Sequence, residues 1–121
     1  MKILIVDDSS VMRKLITRSI RQAGFEGHEI VEAENGQQGV DQVAAAKPDL
    51  ILSDWNMPVM NGIDFLAAVR GQGVKTPFGF ITTEGSDEMR KRAEDGGANF
   101  LLEKPFTPVK IANVLDQYIT K

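Results

Sequence analysis

The sequence contains no cysteine, so it offers no disulfide framework, no thiolate zinc site and no cysteine nucleophile. Its one histidine, His28, has no partner nearby in sequence and reads as a loop or strand-edge residue. No apolar run approaches the ~20 residues needed to span a bilayer. The N-terminal stretch, Met1-Lys2 and then only Ile3 to Val6 before Asp7-Asp8, is too short and too acidic for a signal peptide. There is no basic surplus either. Lysine and arginine total 14 against 17 acidic residues, a net charge of -3, and nonspecific nucleic-acid binding needs the opposite balance. Linkers, charged tails, low-complexity tracts and internal repeats are all missing. The expectation is a cytoplasmic domain with neither a nucleic-acid nor a membrane partner.

What is present fits one globular domain. The chain has 121 residues, of which 42% are hydrophobic and 26% charged. A chain of this size buries roughly two-thirds of its unfolded surface and folds without staples. Short apolar runs at Ile3–Val6, His28–Ala33, Leu50–Leu52, Phe78–Ile81 and Phe100–Leu102 are too short for helices and read as strands. Amphipathic stretches separate them. Met12, Leu15, Ile16, Ser19 and Ile20 share one helical face, and Ile111, Val114, Leu115, Tyr118 and Ile119 repeat that spacing. Asn35–Ala46 and Ile63–Arg70 are shorter helices, and Ser86–Asp95 is the weakest, with only Met89 and Ala93 to anchor it. Ser9 or Ser10, Asn35 with Gln38, and Thr107-Pro108 carry helix-start chemistry. Pro48, Pro58, Asn61-Gly62 and Gly96-Gly97 mark turns. Five strands alternating with five helices predict an α/β fold, a doubly wound (βα)5 parallel sheet covered on both faces.

The polar residues with chemistry fall at one kind of place. Asp7-Asp8 end the first strand, Asp54 ends the third, Thr82 ends the fourth and Lys104 follows the fifth. In an open parallel sheet those ends share a rim, and ligands bind in the crevice outside it. Taken singly, Asp7-Asp8 read as helix-cap residues, Asp54 as turn chemistry, Thr82 as a strand residue and Lys104 as a solvated lysine. Their joint placement at matching strand ends argues for a site. Three carboxylates brought together repel, each pair at ~4 Å by about 4 kcal/mol at an effective dielectric of about 20. The cluster therefore needs protons or a cation. Oxygen-only ligands favour a hard ion, and Mg2+ suits a site that also meets phosphate oxygens. A carboxylate in this setting can attack phosphorus to form an aspartyl-phosphate, with an ammonium group and a hydroxyl stabilising the phosphoryl oxygens.

Asp7-Asp8, Asp54-Trp55-Asn56-Met57-Pro58 with Gly62, Thr82-Thr83-Glu84 and Lys104-Pro105-Phe106 together resemble the receiver domain of bacterial response regulators, in order and spacing, across residues 1–121. The segment around Asp54 resembles the CheY-like, chemotaxis-type members. The resemblance implies a flavodoxin-like sheet of strand order 2-1-3-4-5. It implies that Asp54 accepts a phosphoryl group from a sensor histidine kinase or phosphotransfer protein. It further implies Mg2+ bound by Asp8, Asp54 and the backbone carbonyl of Asn56, with Asp7 acting through water. Lys104 would pair with the phosphoryl group, the Thr82 hydroxyl would move to it, and Asn56 and Glu84 would adjust dephosphorylation. The Lys104-Pro105 peptide is a candidate for the cis form. The output would be a stand-alone switch in protein–protein contact, through the fourth helix, fifth strand and fifth helix. One position departs from the pattern. Where such receivers often carry tyrosine or phenylalanine, three residues before the lysine, this chain has Leu101, with Phe100 facing the opposite side. The state change is therefore expected as a repositioning of the fourth helix rather than a ring flip.

Other readings compete on the same residues. A Mg2+-dependent aspartate-nucleophile phosphatase of the haloacid dehalogenase type would carry an Asp-x-Asp motif on the first strand, where this chain has Asp7-Asp8. A flavodoxin-like electron carrier would need a Ser/Thr-rich or Gly-rich phosphate loop in the first βα turn. A receiver-like binding module that is never phosphorylated is opposed by intact Asp8, Asp54, Thr82 and Lys104.

Overall fold

Ten alternating elements make up the computed structural model, which describes residues 1–120. They are β1 (Lys2–Val6), α1 (Ser10–Gln22), β2 (Glu29–Ala33), α2 (Gly36–Ala46), β3 (Leu50–Ser53), α3 (Gly62–Gly71), β4 (Phe78–Thr82), α4 (Asp87–Asp95), β5 (Phe100–Glu103) and α5 (Pro108–Leu115). All strand pairs are parallel, and the order is β2-β1-β3-β4-β5. Val6 lies opposite both Ala33 and Ser53, and Thr82 lies opposite Glu103, so the carboxyl ends finish on one rim.

Alternation along the strands builds two cores. Ile3, Ile5, Leu50, Leu52 and Ile81 pack against Ile16 and Ile20 of α1 and Ile111 and Leu115 of α5. Leu4, Val6, Ile51, Phe78 and Phe80 pack against Val43 of α2, Phe65, Leu66 and Val69 of α3, and Ala93 of α4. The central strands are buried on both faces, which is why they read as unbroken apolar runs. Gly79 lets the layers close over the edge: the ring of Phe100, its partner on β5, occupies the space a Cβ would need.

Local chemistry sets the helix starts. The side chains of Ser9, Asn35, Asn61, Ser86 and Thr107 each accept a hydrogen bond from the backbone N–H three residues on. Each such cap contributes about 1 kcal/mol. Gln38 also reaches back, accepting from the Glu34 N–H at 3.0 Å.

Two helices depart from their sequence patterns. On α1 the buried stripe is Arg13, Ile16 and Ile20, while Leu15 stays exposed. The expected α5 stripe outlasts the helix. Beyond Leu115 the bonds tighten to i−3, from Gln117 N–H to Val114 and from Tyr118 N–H to Leu115. Ile119 is still buried, and Tyr118 stacks on Phe100 with ring centroids 5.2 Å apart. His28 lies at the opposite end of the sheet from the rim, with Nε2 2.6 Å from the Thr120 carbonyl oxygen.

Of the residues of α4, all described, only Ala93 is buried. Polar groups supplement it. Arg90 donates to the carbonyls of Gly85 at 3.3 Å and Leu101 at 3.4 Å, and pairs with Glu103 at 3.5 Å. The Arg92 guanidinium lies 5.6 Å from the centre of the Trp55 ring. Among the described residues, no helix is long and apolar enough to cross a membrane.

Arg70, near the end of α3, ties down the far end of the molecule. Its guanidinium donates to the carbonyls of Gly97, Val74 and Thr76 at 2.8–3.1 Å and to Asn99 Oδ1 at 3.3 Å. Asn99 Oδ1 also accepts from the Phe78 N–H at 2.9 Å, so one fork joins α3, the entry to β4 and the α4–β5 turn. Arg70→Met keeps the apolar stem and removes the donors. It should lower stability by about 2–3 kcal/mol in urea unfolding. A loss below about 0.5 kcal/mol would show that water satisfies those carbonyls equally well.

Candidate functional site

Parallel register carries separated residues to the rim. Asp7 immediately follows β1, Asp54 follows β3, Thr82 closes β4 and Lys104 follows β5. Asp7, Asp8 and Asp54 each offer a carboxylate oxygen, and these atoms lie within 4.8 Å of one another. Lys104 Nζ stands 3.5 Å from Asp7 Oδ2 and 3.9 Å from Asp54 Oδ1. The Asp7 side chain is 2% exposed, that of Asp54 17%, and Asp8 is open to solvent. The site thus grades from a closed floor to an accessible lip.

Asp7 is held almost completely. Its N–H donates to the Ala33 carbonyl at 3.1 Å, and its own carbonyl accepts from Arg13 Nη1 at 2.6 Å. Its Oδ1 accepts from the Ser9 N–H at 2.9 Å. Among the described residues, its Oδ2 has no hydrogen-bond donor although it is buried. A buried carboxylate oxygen left in that condition is costly. An oxygen-only donor set whose buried Asp7 Oδ2 has no hydrogen-bond donor, only the Lys104 ammonium at 3.5 Å, fits a hard cation such as Mg2+, which would relieve the crowding.

Asp54 is fixed through its backbone. Its N–H donates to the Val6 carbonyl at 2.8 Å, and its Oδ1 accepts from the Trp55 N–H at 2.8 Å. The loop that follows folds back on it. The Gly62 N–H bonds the Trp55 carbonyl at 2.7 Å, and a Cβ at Gly62 would collide with the Asp54 carbonyl. Inside that loop Val59 has φ 69°, bridged by a bond from the Met60 N–H to the Pro58 carbonyl at 2.7 Å. Positive φ at a β-branched residue is strained, and here the closure of the loop imposes it. Trp55 packs on Phe80 at 4.7 Å between centroids, with Arg92 on its ring.

The other expected residues also fall into place. Thr82 is buried, and its Oγ1 accepts from the Glu84 N–H at 3.2 Å. Asn56 and Glu84 are exposed. The Lys104-Pro105 bond is cis. Leu101 belongs to the layer beside α4 and Phe100 to the opposite layer. Sequence reasoning missed Arg13, whose side chain is only 10% exposed and pairs with Glu32 at 2.9 Å. Its sequence signal is position: Arg13 precedes Ile16 and Ile20 on their helical stripe, although its charge points to the surface.

Burial lifts the carboxyl groups of Asp7 and Asp54 above their ordinary values. The Ser9 N–H and Lys104 pull Asp7 down, and Lys104 and the Trp55 N–H pull Asp54 down, without overcoming desolvation. The sign follows. A folded-state pKa above the unfolded one means that the native state holds its proton longer. These groups therefore favour the fold below about pH 3.9 and progressively oppose it as pH rises through their raised values. Without divalent ions, Asp54→Asn should raise stability at pH 7 by about 1 kcal/mol, with the gain shrinking towards pH 4. Thermal unfolding across pH 4–8 measures it, and a gain independent of pH would show that charge is not the cause.

The family model described as "Response regulator receiver domain" matches residues 3–116. The chain is 38% identical to the chemotaxis protein CheY1 of Helicobacter pylori, the match covering 96% of this chain and 94% of that protein. It is 39% identical to the chemotaxis protein CheY of Pseudomonas aeruginosa, covering 100% and 94%. A solved structure of the Vibrio cholerae chemotaxis protein CheY4 superposes with a TM-score of 0.87 at 37% identity, covering 98% of each chain. Receiver domains are signalling proteins that meet histidine kinases and downstream targets, and they use Mg2+ at an acidic pocket. By its sheet order, its acidic rim and these matches, the chain belongs to the response regulator receiver domain family of two-component signalling.

Proposed function

We propose that this receiver is a chemotaxis-type phospho-acceptor switch acting in the cytoplasm, with Asp54 as the acceptor. The observation that carries the proposal is the Lys104 ammonium, 11% exposed, set between Asp7 Oδ2 and Asp54 Oδ1 at the one rim where Asp8 and Thr82 also arrive.

A phosphohistidine on a sensor kinase or phosphotransfer protein is the donor. An Asp54 carboxylate oxygen attacks phosphorus, a P–O bond forms, the P–N bond breaks, and the imidazole leaves with the electron pair. When bound by Asp8, Asp54 and the Asn56 carbonyl, with Asp7 acting through water, Mg2+ supplies charge neutralisation to the phosphoryl oxygens. Lys104 needs only a small shift to pair with the new dianion, and it leaves Asp7 as it does so. Thr82 Oγ1 now accepts from the Glu84 N–H, and its own proton is free to donate to a phosphoryl oxygen. Hydrolysis of the aspartyl-phosphate is the return step, with exposed Asn56 and Glu84 as the side chains that water meets first. Asp54→Asn should abolish incorporation of a phosphoryl group from acetyl phosphate and magnesium, read by intact mass. An undiminished adduct on that variant would move the acceptor elsewhere.

The signal leaves through the β4–α4 loop. Motion of Thr82 pulls on Glu84 and hence on Gly85 and Ser86, the carbonyl that Arg90 holds and the cap of α4. Leu101 has no hydroxyl to couple to that motion. With Ala93 as its only buried residue, α4 is free to follow, and a protein target reads the α4–β5–α5 face. Hydrogen exchange should show its largest phosphorylation-dependent change between Thr83 and Gly97, beyond the local protection at Asp54. A response confined to α1 or α2 would place the output surface elsewhere.

A further inference from the structure

Arg13 is a buried charge that the phosphorylation chemistry does not use. Its Nε donates to Glu32 Oε1 at 2.9 Å and its Nη1 to the Asp7 backbone carbonyl at 2.6 Å. One fork therefore joins α1, the end of β1 and the edge strand β2. The bonded carbonyl belongs to the peptide that links Asp7 to Asp8. Holding its oxygen fixes the plane of that peptide and the direction in which the chain enters Asp8. On the far side of Asp8, the Ser9 N–H is tied to Asp7 Oδ1. Asp8 itself is exposed, so packing does not orient it. Two backbone anchors flank it, and Arg13 supplies one of them.

We propose that Arg13 is a positioning residue for the magnesium site, holding the Asp7–Asp8 peptide in the orientation that presents both carboxylates to the ion. The proposal rests on the reading of the acidic rim as a Mg2+ site. Charge alone would act in the opposite direction. A guanidinium bonded to the backbone of the acidic rim repels a cation bound there, so removing it would tighten magnesium binding if electrostatics dominated. Glu32 offsets that repulsion and leaves the geometric role to decide the sign. Lysine cannot replace the fork, because a single ammonium does not span the Asp7 carbonyl and the Glu32 carboxylate with arginine's planar geometry.

The test is magnesium titration by calorimetry and by Trp55 fluorescence on the wild type, Arg13→Lys, Arg13→Gln and Glu32→Gln, with Asp8→Ala as the reference for a lost ligand. Arg13→Lys and Arg13→Gln should each weaken magnesium binding about 10–100-fold, the range for partners that orient metal ligands. Glu32→Gln keeps an acceptor for Nε and should stay within about threefold of wild type. Labelling by acetyl phosphate should recover in both Arg13 variants as magnesium is raised, so the defect lies in the ion requirement and not in the maximal rate. Arg13→Lys retains charge and length, and it is the deciding variant if Arg13→Gln does not fold. Unchanged or tighter magnesium binding in folded Arg13→Lys, even with lower thermal stability, would overturn the positioning role. A wild-type chain with no magnesium response would overturn the metal reading, and this proposal with it.

Discussion

Carboxylate crowding at the carboxyl ends of β1 and β3 is the constraint from which the rest of the site follows. Three acidic side chains converge within 4.8 Å, two of them substantially desolvated, against one lysine. Left to themselves, such groups take up protons or move apart. Here Asp7 and Asp54 are not free to move apart, because both are fastened through the backbone, Asp7 to Ala33 and Arg13 and Asp54 to Val6, and their raised pKa values record the strain. The fold thus holds an arrangement whose electrostatics oppose folding and favour a cation or a phosphoryl group beside a cation. Function and local instability have one origin in this site.

That fastening is available because the sheet is parallel. In a parallel sheet all strands end on the same side, and the backbone groups just past each end pair with the neighbouring strand. Asp54 reaches Val6 by this route, Asp7 reaches Ala33, and the Lys104 N–H bonds the Thr82 carbonyl at 2.7 Å. The polar residues at the rim sit on a scaffold buried on both faces, while the loops that carry them stay exposed. A rigid floor under adjustable loops is what a reversible covalent switch requires.

The asymmetry between helices completes the device. α3 presents Phe65, Leu66 and Val69 to the core, whereas α4 presents buried Ala93 and half-buried Met89 and is further steadied by arginines at the surface. Arg92 touches the ring of Trp55, next to Asp54, and Arg90 touches the loop behind Thr82 and the strand before Lys104. The helix with the least apolar anchorage is therefore also wired to both sides of the rim. Long polar contacts at an exposed helix are weak enough to be exchanged, which buried leucines are not.

Much of this was legible in the chain itself. The strands, the caps at Ser9 or Ser10, Asn35 and Thr107, the two-faced burial of β1 and β3, and the placement of Asp7, Asp54, Thr82 and Lys104 at strand ends are local signals. Period, cap chemistry and strand boundary are properties of neighbouring residues, so sequence alone determined them. The burial of Arg13, the exposure of Leu15, the grip of Arg70 on the α4–β5 turn and the contact of Arg92 with Trp55 were decided by tertiary structure. The three arginine contacts reach partners distant in sequence: Glu32 lies 19 residues beyond Arg13, Gly97 lies 27 beyond Arg70, and Arg92 lies 92 − 55 = 37 beyond Trp55. Helical or strand periodicity states which face a residue occupies but not what waits opposite that face. A charged side chain on a core-facing stripe is resolved only when the fold supplies the carbonyl and the carboxylate that satisfy it.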